Sequence, residues 1–386
     1  MHIEGTTSRG FEPVRDAFAR NFAEHGELGA AVAVYRRGRC VVDFWGGVAD
    51  RESGRPWRRD TLGIVFSATK GVTATVVHRL AERGVLALDA PVAAYWPEFA
   101  AAGKQAITLR DVLTHRAGLA AVEGALTLDE VLGWHAVCAA IARQAPDPAT
   151  RARHGYHVRS YGWILGEVVR RATGRTLGRV LAEEIAAPLG LAFWVGLPEA
   201  HEPRVATLYA APEPSDPRER ALRDRLLGPD TLLGRALAGP SNLFQYGPMW
   251  NTRALRAAEL PSSNGIGDAR SLAKLYAATI GEVGGVRVVG PAAIAEAARE
   301  HVSGSDAVIF VPTRFGLGYM LPPTLSPACP EGAFGHPGAG GSLGFADPAH
   351  EIGFGYVMNQ MQLGMTGDAR AGSLVAALYE SIAAGA

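Results

Sequence analysis

Two stretches of this chain place a serine three residues ahead of a lysine: Ser67-Ala68-Thr69-Lys70 and Ser271-Leu272-Ala273-Lys274. On a helix those positions lie one turn apart on the same face, so the amine can reach the hydroxyl. The chemistry open to such a pair is nucleophilic catalysis. A serine hydroxyl attacks poorly near neutral pH until a base takes its proton, and a lysine is that base only if its pKa falls far below about 10.4. Lys70, Lys104 and Lys274 are the only lysines in a chain rich in arginine, so a Ser-x-x-Lys match has little chance of arising by accident. Context separates the two matches. Ser67 stands where the apolar run Ile64-Val65-Phe66 gives way to a helical pattern, which makes it the candidate nucleophile. Ser271 and Lys274 precede Leu275 and Tyr276 in an ordinary amphipathic helix, where Ser271 suits a near-capping role.

Other chemical patterns are weaker. Gly340-Gly341-Ser342-Leu343-Gly344 matches GxSxG, but that elbow needs a strand, a sharp turn and then a helix. Phe345-Ala346-Asp347-Pro348 follows, and the next apolar run alternates like a strand, so Ser342 reads as part of a glycine-rich strand. No Lys-Ser/Thr follows these glycines to make a phosphate cradle. His154 and His157 lack a third ligand at metal spacing, and HExxH and CxxC are absent. Cys40, Cys138 and Cys329 are odd in number and scattered, and are read as buried structural thiols. No metal and no cofactor is expected.

The 38 basic and 38 acidic side chains balance, leaving no overall field to draw the protein to nucleic acid or an anionic membrane. The partner expected is a small molecule. Met1-His2-Ile3-Glu4-Gly5 has no basic patch followed by an apolar stretch, and no run of eighteen apolar residues occurs. A soluble, cytoplasmic protein is the expectation.

The elements that must position Ser67 follow from periodicity. Phe11 to His25 reads as an amphipathic helix, with Phe11, Val14, Phe18 and Phe22 at three-to-four spacing. Ala30 to Tyr35 and Cys40 to Trp45 are β-rich runs around the turn Arg36-Arg37-Gly38-Arg39. A helix is predicted from Thr69 to about Arg83, putting Ser67 at a helix N-terminus. From about 105 to 285 the pattern is mainly helical, with Ala-rich segments near 128 to 143, 160 to 187 and 268 to 280. The stretch 211 to 260, with Phe244, Tyr246 and Trp250, reads as an irregular loop over a cleft, and Trp250 as a candidate substrate contact. Strands are predicted at Phe315 to Met320, Gly341 to Ala346 and Ile352 to Met358, with a last helix over 369 to 383. The expected fold is an α/β (α+β) domain with a mainly antiparallel sheet built from both chain ends, 1–90 plus 290–386, around an inserted helical domain, 91–289.

Six blocks taken together resemble the serine β-lactamase-like family. They are Phe66-Ser67-Ala68-Thr69-Lys70-Gly71, Leu113-Thr114-His115-Arg116-Ala117-Gly118-Leu119, Arg153-His154-Gly155-Tyr156-His157-Val158, Tyr161-Gly162-Trp163 leading to Leu165-Gly166-Glu167-Val168-Val169, Pro261-Ser262-Ser263-Asn264-Gly265-Ile266, and Phe334-Gly335-His336-Pro337-Gly338-Ala339-Gly340-Gly341-Ser342. Their order is that of class C β-lactamases and family VIII carboxylesterases, and the likeness runs from the first hairpin to the last helix. It implies an α/β domain with an inserted helical domain and the active site between them.

Carried over residue by residue, the resemblance implies that Ser67 is the acylated nucleophile, Lys70 its partner and Tyr156 a general base and acid. Tyr156 matches the start of the family's Tyr-x-Asn motif. A phenol titrates near 10, so nearby cations such as Lys70 are expected to favour its ionised form or to share a proton with it. His336-Pro337-Gly338 stands where penicillin-recognising relatives carry Lys-Thr-Gly, which makes His336 and Gly338 candidate substrate contacts. The backbone N–H groups of Ser67 and Ala339 would form the oxyanion hole. Val158 replaces the Asn of Tyr-x-Asn and His336 the Lys of Lys-Thr-Gly, groups that bind a lactam's amide or carboxylate. The expected activity is therefore hydrolysis of a small carboxylic ester rather than of a β-lactam. The alternatives are an acyltransferase that passes the acyl group to a second, acceptor substrate, a β-lactamase or D-peptidase, and a non-catalytic binding or sensor protein.

Overall fold

The computed structural model describes every residue except Met1, Leu363, Met365 and Thr366. Its sheet starts from a hairpin. Strands β2 (Gly29–Arg36) and β3 (Arg39–Asp50) are joined by Arg37 and Gly38, both at positive φ (49° and 71°), the backbone of a tight primed turn. Strand β1 (Ile3–Thr7) pairs with the outer edge of β3. On the other edge of β2 the chain's far end arrives: β6 (Ile352–Met358), then β5 (Leu343–Asp347), then β4 (Phe334–Pro337). The order β1-β3-β2-β6-β5-β4 is antiparallel at every step, with Met358 opposite Ala30 and Ile352 opposite Arg36.

The central strands are buried on both faces, which is why they read as nearly continuous apolar runs. Ala30, Val32 and Val34 point with Phe345, Phe354 and Tyr356 into a core shared with helices α1 (Glu12–Glu24) and α5 (Ala369–Ala383), which pack on each other. Ala31, Ala33, Ala346 and Val357 point the opposite way, into the core that surrounds helix α4 (Ala269–Ile280). Glycines on this second face let α4 come close. A Cβ on Gly353 would lie 2.4 Å from the Ala273 carbonyl, and one on Gly355 would lie 2.3 Å from that of Ala269. The large-small alternation Gly353-Phe354-Gly355-Tyr356 is thus a strand with one face stripped for a helix.

Helix α2 (Ala68–Glu82) is buried along most of its length, and it packs on β4 and on helix α3 (Ser160–Thr173) of the helical region. Gly174, in the left-handed conformation at φ 68°, ends α3.

Four expectations need correction. The helical insertion does not run to 289: α4 packs on the sheet, so residues from about 269 onward belong with it, while Ile266–Gly267 pairs with both Gly63–Ile64 and Phe193–Trp194 in a separate small sheet. Phe315 to Met320 is not a strand; Pro312–Phe315 pairs with Val302–Ser305, and Phe315 and Met320 make isolated bridges around a turn at Gly318. The stretch 211–260 is less irregular than its composition suggests, carrying helices Pro217–Leu226 and Leu232–Ala238. Cys138 and Cys329 are buried, but Cys40, beside the hairpin turn, is exposed.

Arg370 locks the two chain ends together. Fully buried at the start of α5, it donates to Glu27 Oε1 at 2.9 Å, to the Gln360 carbonyl at 2.9 Å, to the Gly340 carbonyl at 2.7 Å and to Asp368 Oδ2 at 2.8 Å. Tyr356 donates its hydroxyl to the other oxygen of Glu27. Replacing Arg370 with Met leaves the Glu27 carboxyl buried without its cation, which costs about 3–5 kcal/mol. Urea unfolding of Arg370→Met should show that loss, and a change under about 1 kcal/mol would refute the role given to this pair.

Candidate active site

The turn that presents Ser67 is held in a conformation its residues do not favour. Phe66, a bulky residue, sits at φ 43° in the left-handed region. Its ring is held edge-on against Tyr246 and Trp250, each 5.1 Å away between centroids. The Phe66 carbonyl accepts from the Thr69 N–H at 2.9 Å and the Thr69 hydroxyl at 2.5 Å. That hydroxyl accepts in turn from the Gly265 N–H at 2.8 Å, while the Val65 N–H donates to the Gly265 carbonyl at 2.9 Å. Thr73 donates to the Pro261 carbonyl at 2.5 Å. The Pro261-to-Ile266 block is therefore the rail along which the start of α2 is fixed. Ser67 occupies the N-cap, but its hydroxyl makes no capping bond, and the residue is half-exposed.

Lys70 lies one turn on and is wholly buried. Its Nζ is 3.2 Å from Ser67 Oγ, 3.0 Å from the Ser262 carbonyl and 4.8 Å from the centre of the Tyr156 ring. No carboxylate pairs with it among the described residues. Burial, and then the charge of Arg159, hold its pKa well below the ordinary lysine range. The neutral amine has a free lone pair, which is what a proton acceptor requires.

Tyr156 is held from behind by a clamp of histidines. Its backbone N–H donates to both Asp306 oxygens, at 3.1 and 3.0 Å. Its ring lies 4.9 Å from His115 and stacks at 5.9 Å on His336 and 6.2 Å on Phe315. His115 Nδ1 accepts from the His157 N–H at 3.1 Å. His157 Nε2 accepts from the Leu119 N–H at 3.0 Å, which leaves its Nδ1–H to donate to the Gly155 carbonyl at 2.6 Å. The blocks 113–119 and 153–158 are thus the two halves of one clamp. His154, outside it, bonds the Thr313 hydroxyl at 2.7 Å.

Of the two expectations for Tyr156, ionisation by nearby cations or a proton shared with Lys70, the surroundings disfavour the first. Burial drives its phenol well above the ordinary range, and the nearby Ser67 hydroxyl only partly opposes this. This favours the protonated phenol, whose oxygen lies 3.4 Å from His336 Nε2. His336 Nδ1–H donates to the Pro337 carbonyl at 2.7 Å, so Nε2 is the acceptor. Burial, and then Lys70, push His336 down to about 3, and its ring is neutral.

After His336 the backbone closes on the strand that leads to Ser67. The Gly338 N–H donates to the Ser342 carbonyl at 2.7 Å, and Ser342 Oγ donates to the Val65 carbonyl at 2.8 Å. A Cβ on Gly338 would lie 2.1 Å from the Val65 carbonyl oxygen, so only glycine fits. Ser342 is buried and followed by β5, as its strand context predicts. The N–H groups of Ser67 and Ala339, both half-exposed residues, donate to nothing among the described residues. Ser271 accepts from the Ala192 N–H at 2.8 Å, while Lys274 donates to the Leu189 carbonyl, so this second pair is spent on packing α4.

Hydrogen bonds and ring contacts link Ser67, Lys70, Tyr156 and His336, and Gly338 lies against Val65 two residues before Ser67; Trp250 is not among these contacts. It is 1 % exposed, with its indole N–H on the Gln245 carbonyl at 2.8 Å, and it serves as a wall behind Phe66. Two residues at the site carry no motif. Asp306 fixes the Tyr156 backbone from a distant turn, and Arg159 lies buried against the 244–250 aromatics. An arginine three residues after Tyr156 carries no signal by itself in a chain this rich in arginine.

Comparison with known proteins identifies the family and the fold. The family model "Beta-lactamase" matches residues 14–378. "Esterase/beta-lactamase LipL" of Mycobacterium tuberculosis (strain ATCC 25618 / H37Rv) is 36 % identical over 378 residues, 93 % of this chain and 83 % of that protein. The crystal structure of a family VIII carboxylesterase superposes with a TM-score of 0.88 at 39 % identity, covering 99 % of this chain and all of the other. A penicillin-binding protein homologue from Caulobacter crescentus gives 0.88 at 37 % identity, over 99 % and 100 % of the two chains. The chain belongs to the beta-lactamase family of serine hydrolases and has the β-lactamase-like fold.

Proposed function

We propose that this protein is an esterase that hydrolyses small carboxylic esters through an acyl-enzyme on Ser67. The observation that carries the reading is the wholly buried Lys70 amine, its pKa held well below the ordinary lysine range, 3.2 Å from a Ser67 hydroxyl that the Tyr156 phenol also reaches. Lys70 takes the Ser67 proton as Oγ attacks the ester carbonyl. The oxygen that becomes negative faces the free N–H groups of Ser67 and Ala339, which favour the charged intermediate over the neutral ester. As the carbon–oxygen bond breaks, Tyr156 gives its phenolic proton to the leaving alkoxide and recovers one from the Lys70 ammonium beneath it. Water then attacks the acyl-enzyme with the proton path reversed, releasing the carboxylic acid and restoring Ser67.

Ester is favoured over lactam by the residues at the two motif positions. His336 is neutral and its ring nitrogens are occupied by Pro337 and Tyr156, so it brings no cation to a lactam carboxylate. Val158, 2 % exposed, offers no amide. The carboxylesterase among the structures at 39 % identity supports the same choice, while the relative at 36 % is named both esterase and beta-lactamase.

Turnover of p-nitrophenyl acetate and butyrate, with a chromogenic cephalosporin in parallel, tests this. Ser67→Ala should lose at least about 10³-fold in ester turnover, and wild type should leave the cephalosporin nearly untouched. Activity that survives Ser67→Ala would remove the nucleophile assignment, and rapid cephalosporin cleavage would remove the substrate assignment. Tyr156→Phe keeps the ring in its clamp and removes only the hydroxyl, so kcat should fall about 10²–10⁴-fold with the fold intact by circular dichroism. Gly338→Ala must displace the backbone that carries the Ala339 N–H, and kcat should fall about 10²–10³-fold with little change in KM.

A further inference from the structure

Arg159, the N-cap residue of α3, is a charge the fold has buried without an ion-pair partner. No carboxylate lies within 4.0 Å of its guanidinium among the described residues, and its Nη2 makes no hydrogen bond there. What holds it is neutral: Nε donates to the Leu237 carbonyl at 2.6 Å and Nη1 to Ser263 Oγ at 3.3 Å. The rings of Phe244, Trp250 and Tyr246 surround it at 4.4, 5.3 and 5.8 Å. Cation–π contacts offset part of the cost of removing such a charge from water, but a packed apolar side chain would carry no such cost. A group kept at that expense beside a reacting centre points to a use for its charge.

The network around it leads to the reacting lysine. Ser263 Oγ is 3.1 Å from Ser262 Oγ, which donates to the Arg159 carbonyl at 2.9 Å, and the carbonyl of Ser262 accepts from Lys70 Nζ at 3.0 Å. Arg159 and Lys70 are therefore fixed on the same two-serine segment. The other titratable groups around Lys70 are neutral near pH 7. His115 and His157 on one side and His336 on another are pushed down by burial, and Tyr156, Tyr246 and Tyr276 are pushed up by it. Asp306 lies behind the Tyr156 backbone, its oxygens engaged by the N–H groups of Tyr156, Val308 and Ile309. Arg159 is the standing positive charge in this interior.

We infer that Arg159 is a positioning residue that acts through Lys70: its unpaired cation, fixed across the Ser262-Ser263 segment, keeps the lysine as the free amine that accepts the Ser67 proton. This rests on the reading of Lys70 as the base. A like charge disfavours protonation, so removing it must make Lys70 easier to protonate and shift the acid limb of the rate profile to higher pH.

The test is the pH profile of kcat/KM for p-nitrophenyl butyrate in wild type, Arg159→Met, Arg159→Gln and Arg159→Lys, with Ser67→Ala as control. The expected result is an acid limb about one pH unit higher in both uncharged variants and unmoved in Arg159→Lys. Because the chain has only three lysines, the ¹³Cε resonance of Lys70 can be followed directly by NMR and should titrate upward by the same amount in Arg159→Met. Having two charge-removing variants covers the case in which one fails to fold. A lowered plateau with the limb and the Lys70 resonance unmoved would mean that Arg159 only supports the aromatic wall, and would overturn the inference. Ester turnover that persists in Ser67→Ala would overturn the nucleophile reading instead.

Discussion

A lysine amine sealed from water beside a serine hydroxyl is useful only while it is uncharged, and the surroundings of Ser67 answer that requirement. Burial alone favours the neutral amine. The fold adds neutral histidines, protonated tyrosines and one arginine, and brings no carboxylate into an ion pair with the lysine among the described residues. A carboxylate in this position would convert the base into half of an ion pair and leave the serine without an acceptor. The same dryness sets the state of Tyr156. Burial pushes its phenol toward the protonated form, which is the form the proposed proton transfer to a leaving group needs.

The geometry depends on backbone that can approach very closely. Gly338 lets the end of β4 lie against the strand before Ser67, and Gly71 leaves room for the Tyr276 hydroxyl, which would sit 2.0 Å from a Cβ there. On the sheet, Gly353 and Gly355 bring α4 against β6 in the same way. These contacts make the sheet, α2 and α4 one rigid support. The strained Phe66 turn is held on that support by the Gly265 and Thr69 hydrogen bonds.

Much of this is legible in the sequence because the chemistry is local. Ser67 and Lys70 announce themselves by helical spacing, and β6 and α5 fall within a residue of their expected limits because their patterns are uninterrupted. What is hidden is whatever depends on distant contact. The helix 269–280 looks like any other amphipathic helix, and only its small-residue face, matched to glycines about 80 residues later, shows that it belongs to the sheet. Arg159 and Asp306 act through burial and backbone contacts that no spacing encodes. Trp250 misled for a related reason: an aromatic in a Pro-rich stretch can face a cleft or fill a wall, and the deciding partner, Phe66, lies far away in sequence.

The pairing of β2 with β6 also bears on how the protein is made. Roughly 300 residues separate the two strands, so during synthesis the N-terminal hairpin is finished long before its central partner leaves the ribosome. Until then the run Ala30-Ala31-Val32-Ala33-Val34 presents an unpaired, apolar strand edge, the kind of surface on which chains pair with one another. Chaperones, or slower and cooler expression, would act on this interval, by shielding that edge while the rest of the chain is translated.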